Sequence, residues 1–300
     1  MAVVRRGQAT DRGPVLMATI GLAACSNPVA GREEKLAELV GVFEGAGYRV
    51  DTRFVERFAG HEQRVSGGSG GSGGGSRVWR INPRVRAELL TELFADSAVH
   101  AIFDITGGDL ANEVLEWVDW DVVSANPKPF AGYSDVSVVV NALVVAGSGA
   151  GRLGPGRTAT LWNPWTALKR GADDVPAILA RKHIRPACDR ELPDLPIIGG
   201  NVRCLAKLGG TRWWPRATGH LALLEGMATT LEAVTTYTEQ LRQLGLFRGA
   251  EGLILGQFTD IDAVGQRGIL ADTLREITGL DVWHAPEIGH SRDSAPVTIG

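Results

Sequence analysis

Gly132-Tyr133-Ser134-Asp135 stands between Pro129-Phe130-Ala131, an apolar run of strand character, and Val136 to Val145, an apolar run long enough for a buried helix. A hydroxyl at such a corner is lifted clear of the sheet edge, with the first amides of the helix beside it. That is one way a fold presents a nucleophile. The same residue types also serve as plain helix N-caps, because a Ser or Asp side-chain oxygen accepts the unpaired amides of the first turn. The hydrolase pattern G-x-S-x-G is half met, since Val136 stands at its second glycine.

Outward from this corner, strand and helix alternate. Val15 to Ala23 reads as a strand and Glu33 to Gly45 as an amphipathic helix with Leu36, Leu39 and Val40 on one face. Arg49 to Phe54 follows as a strand, Arg84 to Phe94 as a helix and His100 to Ile105 as a strand. The alternation predicts an α/β fold whose N-terminal domain is a doubly wound, mostly parallel sheet, with its site at the C-terminal ends of the strands. Ser134 belongs at that edge.

Beyond Ala146 the texture changes. Gly147 to Arg157 is glycine-rich, and Gly149 to Gly154 satisfies G-x-G-x-x-G, but Pro155-Gly156 follows where a phosphate-binding helix should start. The segment is read as an interdomain linker, and no cofactor is expected. Ile197 to Ala206 then opens a smaller mixed α/β domain. It continues with a helix between Thr229 and Gly245 that aligns Leu231, Val234, Leu241 and Leu244, then the strand Gly252 to Gly256, the helix Ile269 to Ile277 and the strand Asp281 to His284. The expected organisation is an N-terminal domain over 1–146, linker and loops over 147–195 and a C-terminal domain over 196–300. Ser66 to Ser76 contains only Gly and Ser, a flexible coil by composition that looks like an engineered linker.

A chain of 300 residues is long enough for two cores. A net charge of −3 with dispersed Lys and Arg leaves no electrostatic footprint for nucleic acid. Three cysteines, Cys25, Cys188 and Cys204, are too few and odd in number for a disulfide framework, which favours a reducing compartment. Metal binding has little support, with His183 and Cys188 making one short pair. Arg5-Arg6, the apolar run Val15 to Ala24 and Cys25 together imitate a lipoprotein signal, yet Asp11 interrupts the positive flank and removing the run would delete a central strand. A cytoplasmic protein is the expectation, and an exported lipoprotein anchored through Cys25 is the alternative. No other stretch is long enough to span a bilayer, so no membrane partner is expected.

Further blocks recur around the serine corner: Gly107-Gly108-Asp109, Asn112 to Asp119, Asn126-Pro127-Lys128, Ile198-Gly199-Gly200-Asn201, Gly210-Thr211 with Pro215, Leu223-Leu224-Glu225, Gly252 to Gly256 and Gly289-His290. In this order and at these distances the chain, from about Val15 to Gly300, resembles the LD-carboxypeptidase family of serine peptidases, which includes the microcin C self-immunity peptidases. The resemblance implies Ser134 of the G-[YF]-S-D block as nucleophile. It implies Glu225 as the acid ending an I-L-x-L-E strand, here the looser Leu221-Ala222-Leu223-Leu224-Glu225, and His290 in the late block with Pro296 and Gly300 as base.

The chemistry asks for these types. A serine hydroxyl is a weak nucleophile at neutral pH, so an imidazole must take its proton and return it to the leaving amine, while a carboxylate on the other ring nitrogen fixes the tautomer. The oxyanion needs backbone amides, for which Asp135 and Gly108 are the candidates. His100 reads as a core residue and His183 as a surface one, and His284 is the rival to His290 because both follow the strand around Val282. With Ser134 in the first domain and the other two in the second, the cleft between domains is the expected site.

Trp162-Asn163-Pro164-Trp165 and Trp213-Trp214 are aromatic clusters on predicted loops, each able to wall a substrate cleft or to pack in the core. Against the microcin branch, Thr229 stands where that branch has a lysine and Thr259 where it has a glutamate. Against the muropeptide branch, Gly107-Gly108-Asp109-Leu110 replaces a Gly-Gly-Tyr-Gly loop, and Glu239 stands near the place of an expected arginine. The expected function is metal-independent hydrolysis of amide bonds in small peptides or peptide conjugates through an acyl-enzyme. The alternatives are a muropeptide carboxypeptidase, which trims a D-residue after a diamino acid, and a silent peptide-binding module in which Ser134 only caps its helix. A homodimer is left open.

Overall fold

The computed structural model describes residues 17–58, 62–65, 77–146 and 158–300. The Gly/Ser run 66–76 and the glycine-rich stretch 149–154 lie outside the described residues. The strands are β1 (Thr19–Ala23), β2 (Arg49–Asp51), β3 (Glu62–Val65), β4 (Arg77–Ile81), β5 (Ala101–Asp104), β6 (Phe130–Gly132), β7 (Ala159–Leu161), β8 (Ile197–Asn201), β9 (Leu221–Gly226), β10 (Gly252–Phe258), β11 (Val282–His284) and β12 (Val297–Ile299).

Six of them form a sheet in the order β12-β7-β6-β5-β1-β2, parallel except for β12, which runs antiparallel to β7. β3 and β4 make a separate antiparallel pair. The smaller sheet is β11-β10-β9-β8, all parallel. This is the doubly wound α/β architecture with a second, smaller sheet that the alternation predicts. Strands such as β5 and β9 are buried throughout, as expected where helices cover both faces. Among the described residues no helix is long and apolar enough to cross a membrane.

The strand order reverses between β1 and β5, because the chain leaves β1 for β2 on one side and reaches β5 on the other. In an open α/β sheet the loops that part at such a point leave a crevice at the strand C-termini. Here those loops begin at Ala24 and Ile105, and the serine corner follows the next strand, β6.

The two sheets meet in part through the helix Ser137–Ala146, which lies against β8, an edge strand of the smaller sheet. Asn141 donates from Nδ2 to the Gly199 carbonyl at 2.8 Å and accepts from the Gly199 amide at 3.2 Å, and the Asn201 amide donates to Ser137 Oγ at 3.2 Å. Gly199 and Gly200 both have positive φ, and a Cβ on Gly200 would come within 2.8 Å of Ser137 Oγ. Only glycine permits this approach.

Two local readings differ from the sequence expectation. Arg49 to Phe54 is a strand only to Asp51, whose carboxylate accepts the Arg53 amide at 3.0 Å and starts the helix Arg53–Phe58. His100 is exposed just ahead of β5, accepting the Thr19 amide on Nδ1.

Candidate active site

β6 ends at Gly132, Tyr133 is still extended, and Ser134 opens a short 3-10 turn that leads into the helix Ser137–Ala146. Ser134 has φ of 56°, the left-handed region that a non-glycine residue enters at a cost of roughly 1–3 kcal/mol. Such strain at a strand-to-helix corner is the geometry of a nucleophile elbow. A plain N-cap does not require it, since that position ordinarily takes extended dihedrals.

Asp135 is wholly buried and makes its own network. Its carboxylate accepts Ser26 Oγ at 2.6 Å and the Ala111 amide at 2.8 Å, and it pairs with Lys207 from the second half of the chain. Burial alone would raise its pKa, but the Lys207 ammonium and these donors together hold it below the ordinary aspartate value. The serine corner is thereby tied to the loop after β1, to the segment after β5 and to the turn Ala206–Leu208.

Glu225 stands on β9 and is 3% exposed. His290 lies in the loop after β11, with Nδ1 2.8 Å from Glu225 Oε2 and both side chains 4% exposed. The contact has the distance of an ion pair without the alignment of a hydrogen bond. Burial pulls the imidazole pKa down, but the neighbouring Glu225 carboxylate outweighs it and leaves His290 above the ordinary histidine value. His290 Nε2 is buried and has no hydrogen-bond partner among the described residues. Its ring lies 5.5 Å from that of Tyr133, centroid to centroid.

Ser134 and His290 line one cavity of about 300 Å³, together with Asn27, Thr106, Gly107, Gly108, Tyr133 and Met227. Ser134 and Glu225 line a smaller space behind it, which also touches Trp162 and Ser294. The three residues singled out in the sequence therefore gather around one crevice, fed by both sheets. His284 does not share it: its Nδ1 accepts from Arg267 Nε at 3.2 Å. Gly107 faces Ser134, for a Cβ there would lie 3.6 Å from Ser134 Oγ. Gly108, on the same cavity, has φ of 131°, and a Cβ would collide with Asn27 at 2.1 Å.

The tryptophans separate. Trp162 is buried, edge-on to Phe103 at 5.2 Å. Trp165 is half-buried and donates from Nε1 to the Ile105 carbonyl at 2.6 Å, which fixes its ring as the wall of a cavity shared with Tyr133 and His290. Trp213 is buried against Trp120, and Trp214 donates to the Leu244 carbonyl at 3.1 Å. Neither Trp213 nor Trp214 lines the cavities around Ser134.

Sequence reading passed over several supports. Gln257 Oε1 accepts the amides of His290 at 3.1 Å and Ser291 at 2.9 Å, holding the histidine loop. Arg203 reaches across to the Asp109 carboxylate and the Gly108 carbonyl. Asn27 Oδ1 accepts the Asp109 amide at 3.0 Å. None carries a local signal, because each acts on a partner 33 or more positions away.

Residues 20–149 match the model of the LD-carboxypeptidase N-terminal domain, and residues 196–300 match that of the LD-carboxypeptidase C-terminal domain. The chain belongs to the LD-carboxypeptidase family. It is thus a serine peptidase. Among relatives, the chain is 27% identical to a murein tetrapeptide carboxypeptidase of Pseudomonas aeruginosa over 188 residues, 58% of this chain and 61% of the other. A muramoyltetrapeptide carboxypeptidase from Oxalobacter formigenes superposes with a TM-score of 0.71 at 20% identity, covering 94% of this chain and 93% of that one. The microcin self-immunity protein MccF in complex with glutamyl sulfamoyl guanosine superposes at 0.73 with 17% identity, covering 95% and 92%. At these identities the two structures establish a shared fold.

Proposed function

We propose that the protein hydrolyses amide bonds in small peptides or peptide conjugates, with Ser134 as nucleophile, His290 as general base and then acid, and Glu225 as the carboxylate that orients His290. The observation that carries this reading is the strained φ of Ser134 in a cavity shared with a histidine whose Nδ1 contacts a buried carboxylate and whose Nε2 is unpartnered. A helix cap needs neither the strain nor the buried pair.

In this mechanism Ser134 Oγ attacks the scissile carbonyl carbon as its proton passes to His290 Nε2. The imidazolium is stabilised by Glu225 through Nδ1. The amides of Asp135 and Gly108 are assigned to the oxyanion, a role that suits a residue directly after the nucleophile and a glycine whose missing Cβ leaves room for the Asn27 side chain. Collapse of the tetrahedral intermediate returns the proton to the leaving amine and leaves an acyl-Ser134. Water, activated by the same imidazole, then releases the acid and frees the serine. Of the four tryptophans, Trp165 is the one assigned to the substrate.

A second reading, a muropeptide carboxypeptidase of cell-wall recycling, is favoured by the match to the murein tetrapeptide carboxypeptidase. Mass spectrometry of peptides, muropeptides and aminoacyl-nucleotide conjugates incubated with the protein and with Ser134→Ala tests both. Cleavage by the native protein and at least a thousandfold slower cleavage by Ser134→Ala is expected. Binding without turnover in both proteins refutes the hydrolase.

A further inference from the structure

Arg86 lies in the helix Pro83–Ala95 among the buried residues Ala87, Leu89, Leu90 and Leu93, and is itself fully buried. No other arginine or lysine among the described residues is buried. A guanidinium taken out of water is costly unless its donors meet acceptors, and an apolar side chain would serve the packing of this helix at least as well. The charge therefore asks for an explanation outside the helix.

Its partners supply one. Arg86 Nη1 donates to the carbonyls of Cys25, of Ser26 at 3.2 Å and of Leu110 at 3.0 Å, while Nη2 pairs with Glu113 in the 3-10 turn Ala111–Val114. Cys25 and Ser26 follow β1, and Leu110 and Glu113 follow β5, so one side chain joins the two loops that part where the strand order reverses. Both loops then reach the residue after Ser134. Ser26 Oγ donates to Asp135 Oδ2 at 2.6 Å, and the amide of Ala111, next to Leu110, donates to the same oxygen at 2.8 Å. Gly108, whose amide is the other one assigned to the oxyanion, lies two residues before Leu110. A planar fork with several donors can hold carbonyls from two loops and a carboxylate at once, whereas the point charge of a lysine cannot.

We propose that Arg86 is a positioning residue of the oxyanion site, which aligns the Asp135 and Gly108 amides through Ser26, Leu110 and Ala111 without touching substrate. The proposal rests on the roles proposed for Ser134 and those two amides. Donors to a developing oxyanion act only when aimed at the place it will occupy, so a small displacement of these loops should weaken the transition state and spare ground-state binding.

Arg86→Lys keeps the charge and loses the fork, and Ser26→Ala cuts the chain at a milder point. Both are compared with the native protein and with Ser134→Ala. The substrate is a tetrapeptide ending in L-lysyl-D-alanine. Calorimetry measures the tripeptide ending in the boronic acid analogue of lysine, whose adduct on Ser134 is tetrahedral, and the tripeptide product ending in L-lysine, which is not. In both variants kcat should fall roughly tenfold or more with KM within about threefold, and boronate affinity should fall by about the same factor as kcat/KM while product affinity holds. The boronate comparison needs no turnover, and Ser26→Ala decides alone if Arg86→Lys does not fold. Boronate affinity within threefold of native in Ser26→Ala, or equal losses for boronate and product, overturn the positioning role. A boronate bound equally well by Ser134→Ala and the native protein overturns the nucleophile instead, and the positioning role falls with it.

Discussion

Replacing Glu225 by Gln removes one charge from a pair whose atoms lie 2.8 Å apart with side chains 4% exposed, while leaving volume nearly unchanged. At that distance unit charges in an effective dielectric of about 20 attract by about 6 kcal/mol, and spreading the cation over the imidazole ring reduces this to about 4 kcal/mol. At about 1.4 kcal/mol per decade, kcat should fall roughly a thousandfold if the imidazolium forms in the transition state. The pH dependence gives an independent check. In the native protein Glu225 holds the His290 pKa above its ordinary value, so the acid limb of kcat/KM should lie above that value. In Glu225→Gln only burial remains to act strongly, and the limb should move to lower pH as the rate drops. Stability follows the same sign: a histidine with raised folded pKa contributes stability below its unfolded pKa and loses it as pH rises through the folded value. The variant should therefore lose more stability near pH 6 than at pH 9 in denaturant titrations. A variant within tenfold of native kcat/KM, or an acid limb displaced upward, would refute the assignment of Glu225.

Lys207→Met leaves the buried Asp135 carboxylate without its cation and should cost about 3 kcal/mol in urea unfolding at neutral pH. Because Asp135 is held below its ordinary pKa, the native advantage exists above the carboxylate range and should shrink as pH falls through it, so equal stabilities at pH 7 would contradict the account. Gln257→Leu removes the acceptor of two loop amides and is expected to lower kcat ten- to a hundredfold with little change in KM. Gln257→Glu, which still accepts both amides, should recover most of that loss, and failure to do so would point to packing rather than positioning.

The fold was legible where periodicity is long and local. Glu33–Gly45 forms the helix its apolar spacing predicts, β1 and β5 fall within the apolar runs read as strands, and β10 covers its predicted run and continues to Phe258. Boundaries were lost where one side chain decides them, as at Asp51, whose cap turns a predicted strand into a helix after three residues. The segment after Ala146 shows the same limit at the scale of topology. Ala159–Leu161 and Val297–Ile299 are short strands that complete the first sheet, although one lies in the expected linker and the other at the far end of the second domain. Three-residue strands are too short for a period of two to register, and their pairing is non-local. At the site, Ser134, Glu225 and His290 each end or follow an apolar strand, which is why sequence blocks could single them out. The tryptophans could not be sorted that way, because indole chemistry is the same in a core and on a wall. Trp213 differs from Trp165 only in what the fold places beside it.

If the proposed triad is right, the division of the site between two sheets makes their joint part of the chemistry. Ser134 is fixed by β6 and by the helix Ser137–Ala146, whereas His290 and Glu225 are fixed by β9, β10 and Gln257. The relative placement of hydroxyl and imidazole thus depends on how that helix seats on β8. The two Asn141 bonds to Gly199 and the Ser137 Oγ bond to Asn201 lie within two turns of Ser134, and the Lys207–Asp135 pair begins one residue after it. β12 closes the arrangement by carrying the chain from His290 back into the first sheet beside β7, while the Gly300 amide donates to the Ile197 carbonyl of β8 at 2.8 Å. A hinge between two freely moving domains would leave such a site open for much of the time. Here the path from Ser134 to His290 runs through hydrogen bonds, an ion pair and strand pairings, so under the proposed mechanism the two groups would be held for reaction before substrate arrives, and the cost of aligning them would be met in folding rather than in each turnover.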